Sequence, residues 1–322
     1  MEKRKLGAGG PEVPVICLGG NVYGWTLAEA DAFRQFGEAL DLGLNFIDTA
    51  DVYSRWAPGH TGGESETIIG NWLTKSGRRK DVILATKVGM EMGEGRKGLS
   101  PAYIRRGVED SLKRLQTDHI DLYQAHKDDE ETPLAETLGA FDDLVKAGKV
   151  RYIGASNYSG ERLAEALETS RKNGLAPYVS LQPHYNLVER EKFETELLPV
   201  VDKYQLGVIP YFSLAAGFLS GKYRSAKDTE KAARGKSVQK YLNDWGFSVV
   251  AALDEVAQAT GSTPARVALA WLIAQPGITA PIASATSSNQ LNDLAAAAEL
   301  KLGRESIEKL NEASAGKAIA SQ

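Results

Sequence analysis

Residues 82–126 read VILATKVGMEMGEGRKGLSPAYIRRGVEDSLKRLQTDHIDLYQAH, and this stretch contains the unit that predicts the fold. Val82–Lys87 and Ile120–Gln124 are short, mostly apolar and without polar alternation, which is typical of parallel strands buried on both faces. Between them a helical pattern opens at Ser100 and runs to about Leu115, because a serine followed by a proline caps and opens a helix. Its apolar residues recur at three- and four-residue spacing: Ile104, Val108, Leu112 and Leu115. The stretch therefore predicts a strand, a helix and a second strand.

The same unit repeats along the chain. The other strand-like apolar segments are Val15–Leu18, Asn45–Asp48, Val150–Ala155, Val179–Gln182, Gly207–Tyr211 and Ile278–Ala283. The other helical patterns lie near residues 28–42, 64–75, 132–145, 159–172, 191–205, 263–274 and 287–300. Strand followed by helix, eight times, predicts a closed (β/α)8 barrel of the α/β class, with residues 1–322 forming a single domain.

Two segments lie outside this repeat. Residues 3–14 are rich in glycine and proline and predict a short β-hairpin ahead of the first barrel strand. A long stretch, about 218–246, separates the seventh strand from the next helix. Loops of that length are uncommon and tend to cover active sites, so we expect long loops at the carboxyl end of the barrel.

An open, doubly wound sheet is the main alternative fold. Its dinucleotide-binding variant expects G-x-G-x-x-G directly after the first strand, whereas residues 18–25 read LGGNVYGW. A Walker A motif is also missing, and the glycines of Gly89–Gly98 fit no phosphate-loop spacing. The pattern therefore favours the barrel.

Composition and charge exclude several classes of protein. The chain is 43% apolar and 25% charged with a net charge of −4, and its densest basic runs, 78–80 and 105–106, are too short for a nucleic-acid-binding face. Cys17 is the only cysteine, so no intrachain disulfide can form, which fits a reducing compartment. The charged start lacks the apolar run of a secretory signal, and no stretch approaches ~20 apolar residues. We therefore expect a cytoplasmic protein without a membrane segment.

The carboxyl ends of barrel strands carry the catalytic groups, and four residues there form a coherent set. Asp48 ends the second predicted strand, and Tyr53 follows in the loop. Lys87 ends the third strand, at a place where lysine is rarely buried unless it is paired, and His126 ends the fourth. Taken singly, three of them have ordinary explanations, as a turn-capping aspartate, a half-buried tyrosine and a loop histidine. Together, an Asp48–Lys87 pair would hold an ammonium beside the Tyr53 hydroxyl.

This set predicts acid–base chemistry on a carbonyl group. The Lys87 cation would favour the phenolate and lower the pKa of Tyr53 from its ordinary ~10 toward the working range. Such a phenol can donate a proton to a carbonyl oxygen and accept one in reverse, while His126 orients that oxygen. No G-x-S-x-G motif supports acyl transfer. The histidines at 60, 119, 126 and 184 form no metal-ligand pattern, so we expect no metal.

These residues lie in stretches that resemble the aldo-keto reductase family over nearly the whole chain. The stretches keep the family's order: GLNFIDTADVYS, GGESETIIG, ILATKVG, SLKRLQTDHIDLYQAH, GKVRYIGASNYS, LQPHYNLVER, GFLSGKYR and APIASATSSNQL. The pattern is most similar to the branch that includes bacterial oxidoreductases and the β subunits of voltage-gated potassium channels. The resemblance implies that hydride passes from a reduced nicotinamide to a carbonyl carbon. Its implied catalytic residues are Asp48, Tyr53, Lys87 and His126.

The resemblance also implies that NADP(H) binds across the barrel mouth without a Rossmann motif. Ser156, Asn157 and Gln182 match positions that hold the nicotinamide carboxamide, and Tyr211 matches the aromatic residue stacked on the nicotinamide ring. The other implied cofactor residues are Ser213, Leu214, Gly217 and Lys222 over the pyrophosphate, Arg234 in the loop that follows, and Ser284, Thr286 and Gln290 around the adenosine 2′-phosphate.

The chain departs from the family pattern at two places. Residues 212–214 read Phe-Ser-Leu where many relatives have Ser-Pro-Leu. Residues 284–291, SATSSNQL, lack the arginine or lysine that many members place against the 2′-phosphate, and charge-assisted contacts are roughly twice as strong as neutral ones. The potassium-channel branch also uses serine and glutamine there. We therefore expect NADP(H), with NAD(H) as the alternative.

The sequence thus predicts an NADP(H)-dependent reductase of a small aldehyde or ketone. Two other functions fit the same residues: a cofactor-binding regulatory subunit with slow turnover that docks on a membrane protein, and an NAD(H)-preferring alcohol dehydrogenase. A barrel enzyme of unrelated chemistry would follow if the four rim residues do not converge. Tyr23, Trp25 and Trp56 are predicted to line the substrate pocket, which would favour apolar carbonyl compounds. The sequence does not determine the oligomeric state.

Overall fold

The computed structural model describes residues 1–230 and 235–316. Its strands are β1 (Lys3–Lys5), β2 (Glu12–Pro14), β3 (Cys17–Gly19), β4 (Phe46–Asp48), β5 (Ile83–Val88), β6 (Ile120–Ala125), β7 (Val150–Ser156), β8 (Tyr178–Gln182), β9 (Gly207–Val208) and β10 (Ile282–Ala283). Its α-helices are α1 (Glu29–Asp41), α2 (Glu64–Ser76), α3 (Pro101–Leu115), α4 (Leu134–Lys146), α5 (Gly160–Asn173), α6 (Leu198–Tyr204), α7 (Gly235–Val238), α8 (Asp244–Ala259), α9 (Pro264–Ala274), α10 (Ser288–Glu299) and α11 (Arg304–Ser314).

Among the described residues, eight parallel strands form one sheet in the order β10-β3-β4-β5-β6-β7-β8-β9. The two ends of this order meet, because Thr279 N donates to Val208 O at 2.8 Å and Ile282 N donates to Pro210 O at 2.9 Å. The sheet is therefore closed, and with helices between successive strands the fold is the predicted (β/α)8 barrel. The predicted N-terminal hairpin is also confirmed, since β1 and β2 pair antiparallel.

Local sequence signals explain where the helices begin and end. The Ser100 side chain accepts from Tyr103 N at the start of α3, and Ser159 caps α5 in the same way through Arg162 N. Helix α3 ends at Gln116, which adopts the left-handed conformation (φ 51°) that closes a helix C-terminus. Capped helices of this kind return the chain to the amino end of the barrel, ready for the next strand.

Apolar residues form two separate cores. The larger one lies between the outer face of the sheet and the helices, where Phe36, Ile104 and Phe141 are fully buried. The second fills the barrel interior near its amino end. The buried members of this second core are Leu6, Val13, Cys17, Phe46, Ala85, Leu122, Val179, Ile209, Ala280 and Ile282. Leu6 and Val13 belong to the hairpin, so the hairpin closes the bottom of the barrel and leaves the carboxyl end for polar groups.

The structure also differs from the predicted elements. The seventh and eighth strands are shorter than the predicted 207–211 and 278–283, because Pro210 and Pro281 have no N–H group to donate to a ladder. Helices α8 and α11 were not predicted; they pack against each other, and α8 also packs against α9. The described part of the predicted long loop contains short 3-10 turns and α7, joined by irregular segments, and α8 begins at its end.

Candidate active site

Three neighbouring strands bring the four predicted catalytic residues together. Asp48 is the last residue of β4, and Lys87 lies on β5. His126 directly follows β6, and its backbone N donates to Val88 O at 2.9 Å. Register pairs Lys87 with Gln124 across β5 and β6, so these side chains leave adjacent strands at the same height. The four residues therefore converge at the carboxyl end of the barrel.

A fully buried ion pair forms the base of the site. Lys87 Nζ lies 2.6 Å from Asp48 Oδ2, and it also donates to Thr49 O at 2.8 Å. Both side chains have no exposed area. Burial is the largest single effect and would by itself lower the pKa of Lys87, but the charge of Asp48, the effect of Tyr53 and the hydrogen bonds to both together hold that pKa above its ordinary value. Lys87 is therefore a cation at neutral pH.

The Tyr53 hydroxyl rests on this pair. Lys87 Nζ donates to Tyr53 OH at 2.9 Å, and Tyr53 OH lies 3.4 Å from Asp48 Oδ2. The expected lowering of the Tyr53 pKa is wrong: burial raises this pKa to about 12, since burial and the Asp48 charge outweigh the Lys87 charge. The phenol consequently keeps its proton at neutral pH.

His126 stands beside Tyr53, with ring centroids 6.0 Å apart. Burial, and then the charge of Lys87, lower the pKa of His126 well below its ordinary value, so the imidazole is neutral. Its Nδ1 atom is buried without a hydrogen-bond partner in residues 1–230 and 235–316. A proton on Nδ1 would have no acceptor, which favours the tautomer that carries its proton on Nε2.

Two glutamines hold the second oxygen of Asp48. Gln124 Nε2 donates to Asp48 Oδ1 at 3.1 Å, and Gln182 Nε2 donates to the same atom at 3.0 Å. Gln182 was predicted as a cofactor residue, whereas Gln124 was missed. A signal for Gln124 existed in the sequence, because residues two apart on a strand share a face and Gln124 lies two residues before His126.

A cavity of about 980 Å³ opens above these residues. Tyr53 and His126 form part of its wall, while Asp48 and Lys87 lie buried behind Tyr53. The predicted cofactor residues that line it are Ser156, Asn157, Gln182, Tyr211, Ser213, Leu214, Gly217, Lys222, Ser284, Thr286 and Gln290. Arg234, the remaining predicted cofactor residue, lies outside the described residues.

Near Tyr53, polar side chains of the cavity wall form a hydrogen-bonded group. Asn157 Nδ2 donates to His126 O at 2.9 Å and to Ser156 Oγ at 3.1 Å. Tyr211 OH donates to Asn157 Oδ1 at 2.8 Å. One face of the Tyr211 ring is stacked on His184, with centroids 5.2 Å apart. This group joins His126 to the rest of the cavity wall.

The segment after Tyr211 has an unusual backbone. Phe212, Ala215 and Ala216 adopt positive φ angles of 53°, 47° and 57°, which are uncommon for residues with a side chain and store strain. Phe212 O accepts from Asn186 Nδ2 at 2.9 Å, which fixes this conformation. At Gly217 (φ 94°), an added Cβ would lie 2.8 Å from Lys222 Cε, so the lysine folds directly over the glycine.

The far end of the cavity is polar and tightly hydrogen-bonded. Ser284 Oγ donates to Asn21 Oδ1 at 2.7 Å. Thr286 donates to Gln290 Oε1 through its backbone N at 2.8 Å and its hydroxyl at 3.0 Å. The neighbouring wall residue Asp293, which sequence reasoning missed, forms an ion pair with Arg266 at 2.7 Å.

The three predicted pocket aromatics have different positions. Trp56 lines the cavity and is 49% exposed, and Trp25 contacts it edge-on at 5.6 Å. Tyr23 is fully buried in the larger core, and its hydroxyl donates to Gln35 Oε1 at 3.0 Å. The prediction that Tyr23 lines the pocket is therefore not met, because its ring points from the loop into the core. Phe212 takes a place at the rim instead and is 43% exposed.

A second buried charge cluster lies behind the Tyr53 loop. It consists of Asp51, Glu66 and Arg114, and sequence reasoning missed it. Arg114 Nε lies 2.6 Å from Glu66 Oε2. Asp51 is buried, and its Oδ1 has no hydrogen-bond partner among the residues that the structure describes. Burial, together with the Glu66 charge, raises the pKa of Asp51 to about 8 against the opposing effect of Arg114.

No group of three or more histidine, cysteine, aspartate or glutamate residues in residues 1–230 and 235–316 is arranged to hold a metal ion. In the same part of the chain, no helix is both long enough and apolar enough to cross a membrane.

The chain is similar to known proteins over nearly its whole length. Residues 15–315 match the sequence model described as "Aldo/keto reductase family". The chain is 40% identical to "Uncharacterized oxidoreductase YrpG" of Bacillus subtilis, over 97% of this chain and 95% of that protein. It is 33% identical to a "Probable voltage-gated potassium channel subunit beta" of Oryza sativa, over 90% and 89%. It is 32% identical to "Aldo-keto reductase yakc [NADP(+)]" of Schizosaccharomyces pombe, over 96% and 90%.

Proposed function

The chain belongs to the aldo/keto reductase family, and from that premise we propose that it reduces an aldehyde or ketone to an alcohol with NADP(H). Tyr53 is the general acid in this proposal. The observation that carries it is the contact of Lys87 Nζ with both Asp48 Oδ2 and Tyr53 OH, at 2.6 and 2.9 Å, at the edge of a cavity that His126 also lines. A neutral phenol with a cation behind it is suited to giving up a proton to a developing alkoxide.

The cavity has the size and the lining that a dinucleotide needs. Its volume of about 980 Å³ is at the upper end of ordinary ligand pockets. Gln182 Nε2 is occupied by Asp48 and Gln124, which leaves Gln182 Oε1 as an acceptor for a carboxamide. The free face of Tyr211 would stack on the nicotinamide, and Lys222, folded over Gly217, would meet the phosphates. When bound, the reduced nicotinamide supplies hydride to the carbonyl carbon.

The chain's own residues supply the proton and the orientation. His126 donates from Nε2 to the substrate oxygen and holds it beside Tyr53. Tyr53 OH gives its proton to that oxygen, so the carbonyl becomes an alcohol and the tyrosine becomes a phenolate. The phenolate is stabilised by Lys87 at 2.9 Å, and it takes a proton back from solvent before the next turnover. Asp48 keeps Lys87 charged throughout.

The preference for NADP(H) over NAD(H) is expected to be modest. Ser284, Thr286 and Gln290 would offer uncharged hydrogen bonds to the 2′-phosphate, and Arg266 is already paired with Asp293. Binding titrations of NADPH and NADH test this directly. NADPH should bind more tightly; equal affinities would contradict the preference and favour an NAD(H)-dependent alcohol dehydrogenase.

The experiment that tests the proposed reaction is a substrate panel. The protein is incubated with NADPH and a series of aldehydes and ketones, and the loss of nicotinamide absorbance is followed. Aldehyde-dependent oxidation of NADPH at kcat of about 1 s⁻¹ or more supports a reductase. Tight NADPH binding without turnover on any member of the panel would contradict it.

The second outcome would favour the alternative function, a cofactor-binding regulatory subunit. That alternative is supported by the 33% identity to a probable potassium channel subunit beta. The acid–base residues do not separate the two functions, because slow turnover can accompany an intact site. The turnover number therefore decides between them.

A further inference from the structure

We propose that Lys127 is a specificity-determining residue that binds an acidic group of the substrate, so that the preferred substrates are aromatic or similarly apolar aldehydes and ketones that carry a carboxylate or another anion. This inference rests on the proposed reductase function, because it names the substrate class of the same cavity. It depends on the position of Lys127, on the charges around it and on the apolar surface beside it.

The position of Lys127 is fixed by its neighbour. It directly follows His126, and it lines the same cavity as His126 and Tyr53. The His126 backbone is held on both sides, since its N donates to Val88 O and its O accepts from Asn157 Nδ2, each at 2.9 Å. Because consecutive Cα atoms are about 3.8 Å apart, the lysine side chain starts beside the residue that would orient the carbonyl oxygen.

The Lys127 ammonium has no counter-charge in the described part of the chain, where no ion pair involves it. Of the four acidic residues that follow it, the two nearest, Asp128 and Asp129, are engaged elsewhere. Asp128 pairs with Arg162 at 3.0 Å, and Asp129 accepts from Leu99 N at 2.7 Å. Lys127 therefore presents an uncommitted positive charge to the cavity.

The other charged residues of the cavity wall belong to the opposite part of the cavity. Lys222 folds over Gly217, where the cofactor phosphates are expected. Asp293 lies beside Leu294 and Gln290 and is neutralised by Arg266. An anionic substrate group near His126 would therefore meet Lys127 without facing an unpaired carboxylate of the described cavity wall.

Exposed apolar surface lines the same cavity, and the Trp56 ring lies 5.9 Å from the Tyr53 ring between centroids. Across residues 1–230 and 235–316, the large apolar side chains left exposed are Met1, Trp56 and Phe212. Trp56 and Phe212 both line the cavity, together with Met90. Exposed apolar surface concentrated at one mouth marks a ligand site. Together with the Lys127 charge, this apolar surface fits a substrate that has an aromatic ring and an acidic group.

A matched pair of substrates tests the inference. 4-Carboxybenzaldehyde and its methyl ester, methyl 4-formylbenzoate, share the reacting aldehyde and differ in the charge at the far end. We expect kcat/KM of the wild type to favour the acid by about tenfold, as for one charge-assisted hydrogen bond. Lys127→Met should lower the acid-to-ester ratio of kcat/KM by about tenfold, and Lys127→Arg should retain it. Added salt should reduce the wild-type ratio, since screening weakens exposed charge contacts.

Lys113→Met is the matched control, because Lys113 is an exposed lysine in the last turn of α3 and is not part of the cavity wall. Its acid-to-ester ratio should equal that of the wild type. An acid-to-ester ratio that is close to one in the wild type, or that Lys127→Met leaves unchanged, would overturn the inference while the reductase function stands.

A binding experiment separates this inference from the proposed function. Calorimetric titration of 4-(hydroxymethyl)benzoate into the protein with NADP⁺ requires no turnover. If no aldehyde is reduced but Lys127→Met weakens this binding about tenfold, the reductase proposal is wrong and the role of Lys127 is supported. If the wild type and Lys127→Met bind the benzoate equally, or neither binds it, the inference is wrong.

Discussion

Asp48, the last residue of β4, and Asp51, three residues later in the following loop, are both buried, yet their surroundings are opposite. Asp48 has partners on both oxygens: Lys87 at 2.6 Å on Oδ2, and Gln124 and Gln182 on Oδ1. Asp51 Oδ1 has no hydrogen-bond partner within the described residues, and Arg114, the cation whose charge acts most strongly on Asp51, is paired with Glu66. Burial raises the pKa of Asp51 to about 8.

The difference shows that two aspartates buried close together in this barrel can have opposite hydrogen-bonding environments. A buried carboxylate with a cation and two amide donors has every oxygen partnered, whereas one that lacks them, such as Asp51, holds a proton. The fully partnered site lies under Tyr53 and carries the proposed chemistry. The Asp51 cluster lies behind the same loop and has, in this account, a structural role.

Removal of the cation from the Asp48 site should have the largest effect. Lys87→Met leaves Asp48 buried without its counter-charge, which costs about 3–5 kcal/mol of unfolding free energy. It also removes the group that stabilises the Tyr53 phenolate, so kcat/KM should fall by about 10²–10⁴-fold. Urea denaturation and steady-state kinetics measure the two effects.

Arg114→Met is the matched variant for the Asp51 cluster, since it removes the cation that pairs with the buried Glu66. It should lower stability but change the kcat/KM of the folded protein by less than about threefold. A loss of activity as large as that of Lys87→Met would mean that the two clusters act as one unit.

The same substitution at the two aspartates should separate their roles. Asp48→Asn places an amide N–H₂ against the Lys87 ammonium, because Gln124 and Gln182 require the amide oxygen on the other side. Lys87 then loses its counter-charge, and we expect kcat/KM to fall about 10²-fold or more. Asp51→Asn should leave kcat/KM within about threefold of the wild type. Similar losses in both variants would contradict the assignment.

Asp51→Asn should instead alter the pH dependence of stability. The folded pKa of Asp51, about 8, exceeds its ordinary value of 3.8, so between these values the folded chain keeps a proton that the unfolded chain releases. The wild-type unfolding free energy therefore falls as the pH rises through this window. Asparagine cannot ionise, so the variant should gain stability relative to the wild type by up to ~1.4 kcal/mol per pH unit. Denaturation curves from about pH 4 to about pH 8 check this, and a constant difference would mean that Asp51 is ionised.

The smallest expected effect concerns the pH profile of the reaction. The pKa of His126 lies well below 6.5 and the pKa of Tyr53 is about 12. Neither group should therefore titrate near neutral pH. We expect kcat/KM for reduction to vary by less than about threefold between about pH 6 and about pH 9. A clear break near pH 6.5 would show that His126 is partly charged in the free enzyme.

The sequence predicted the barrel well because its signal is local and repeated. Short apolar strands, capped helices and the glycine- and proline-rich hairpin each have their own pattern, and their alternation leaves few topologies. Helices α8 and α11 lie outside that alternation and pack on other helices, so the repeat gave no reason to expect them. The two proline-shortened strands could have been foreseen from Pro210 and Pro281.

The sequence predicted which side chains would meet at the barrel rim, but not their electrostatics. The ends of the predicted strands pointed to Asp48, Lys87 and His126. Side chains alternate between the two faces along a strand, and those at the carboxyl ends of neighbouring strands meet at the barrel rim. The direction of the Tyr53 pKa shift was predicted wrongly, since desolvation depends on packing that no spacing reveals. For the same reason, Tyr23 was predicted in the cavity, although its ring is buried in the core.

The most direct test of the central claim, that Tyr53 donates the proton, is a comparison of the wild type with Tyr53→Phe. Both proteins are measured for aldehyde reduction and for NADPH affinity by titration. The account predicts that kcat falls by about 10²–10⁴-fold while the Kd for NADPH changes by less than about threefold. Unchanged turnover would remove Tyr53 from the mechanism, and an equal loss of turnover and cofactor affinity would make it a structural residue.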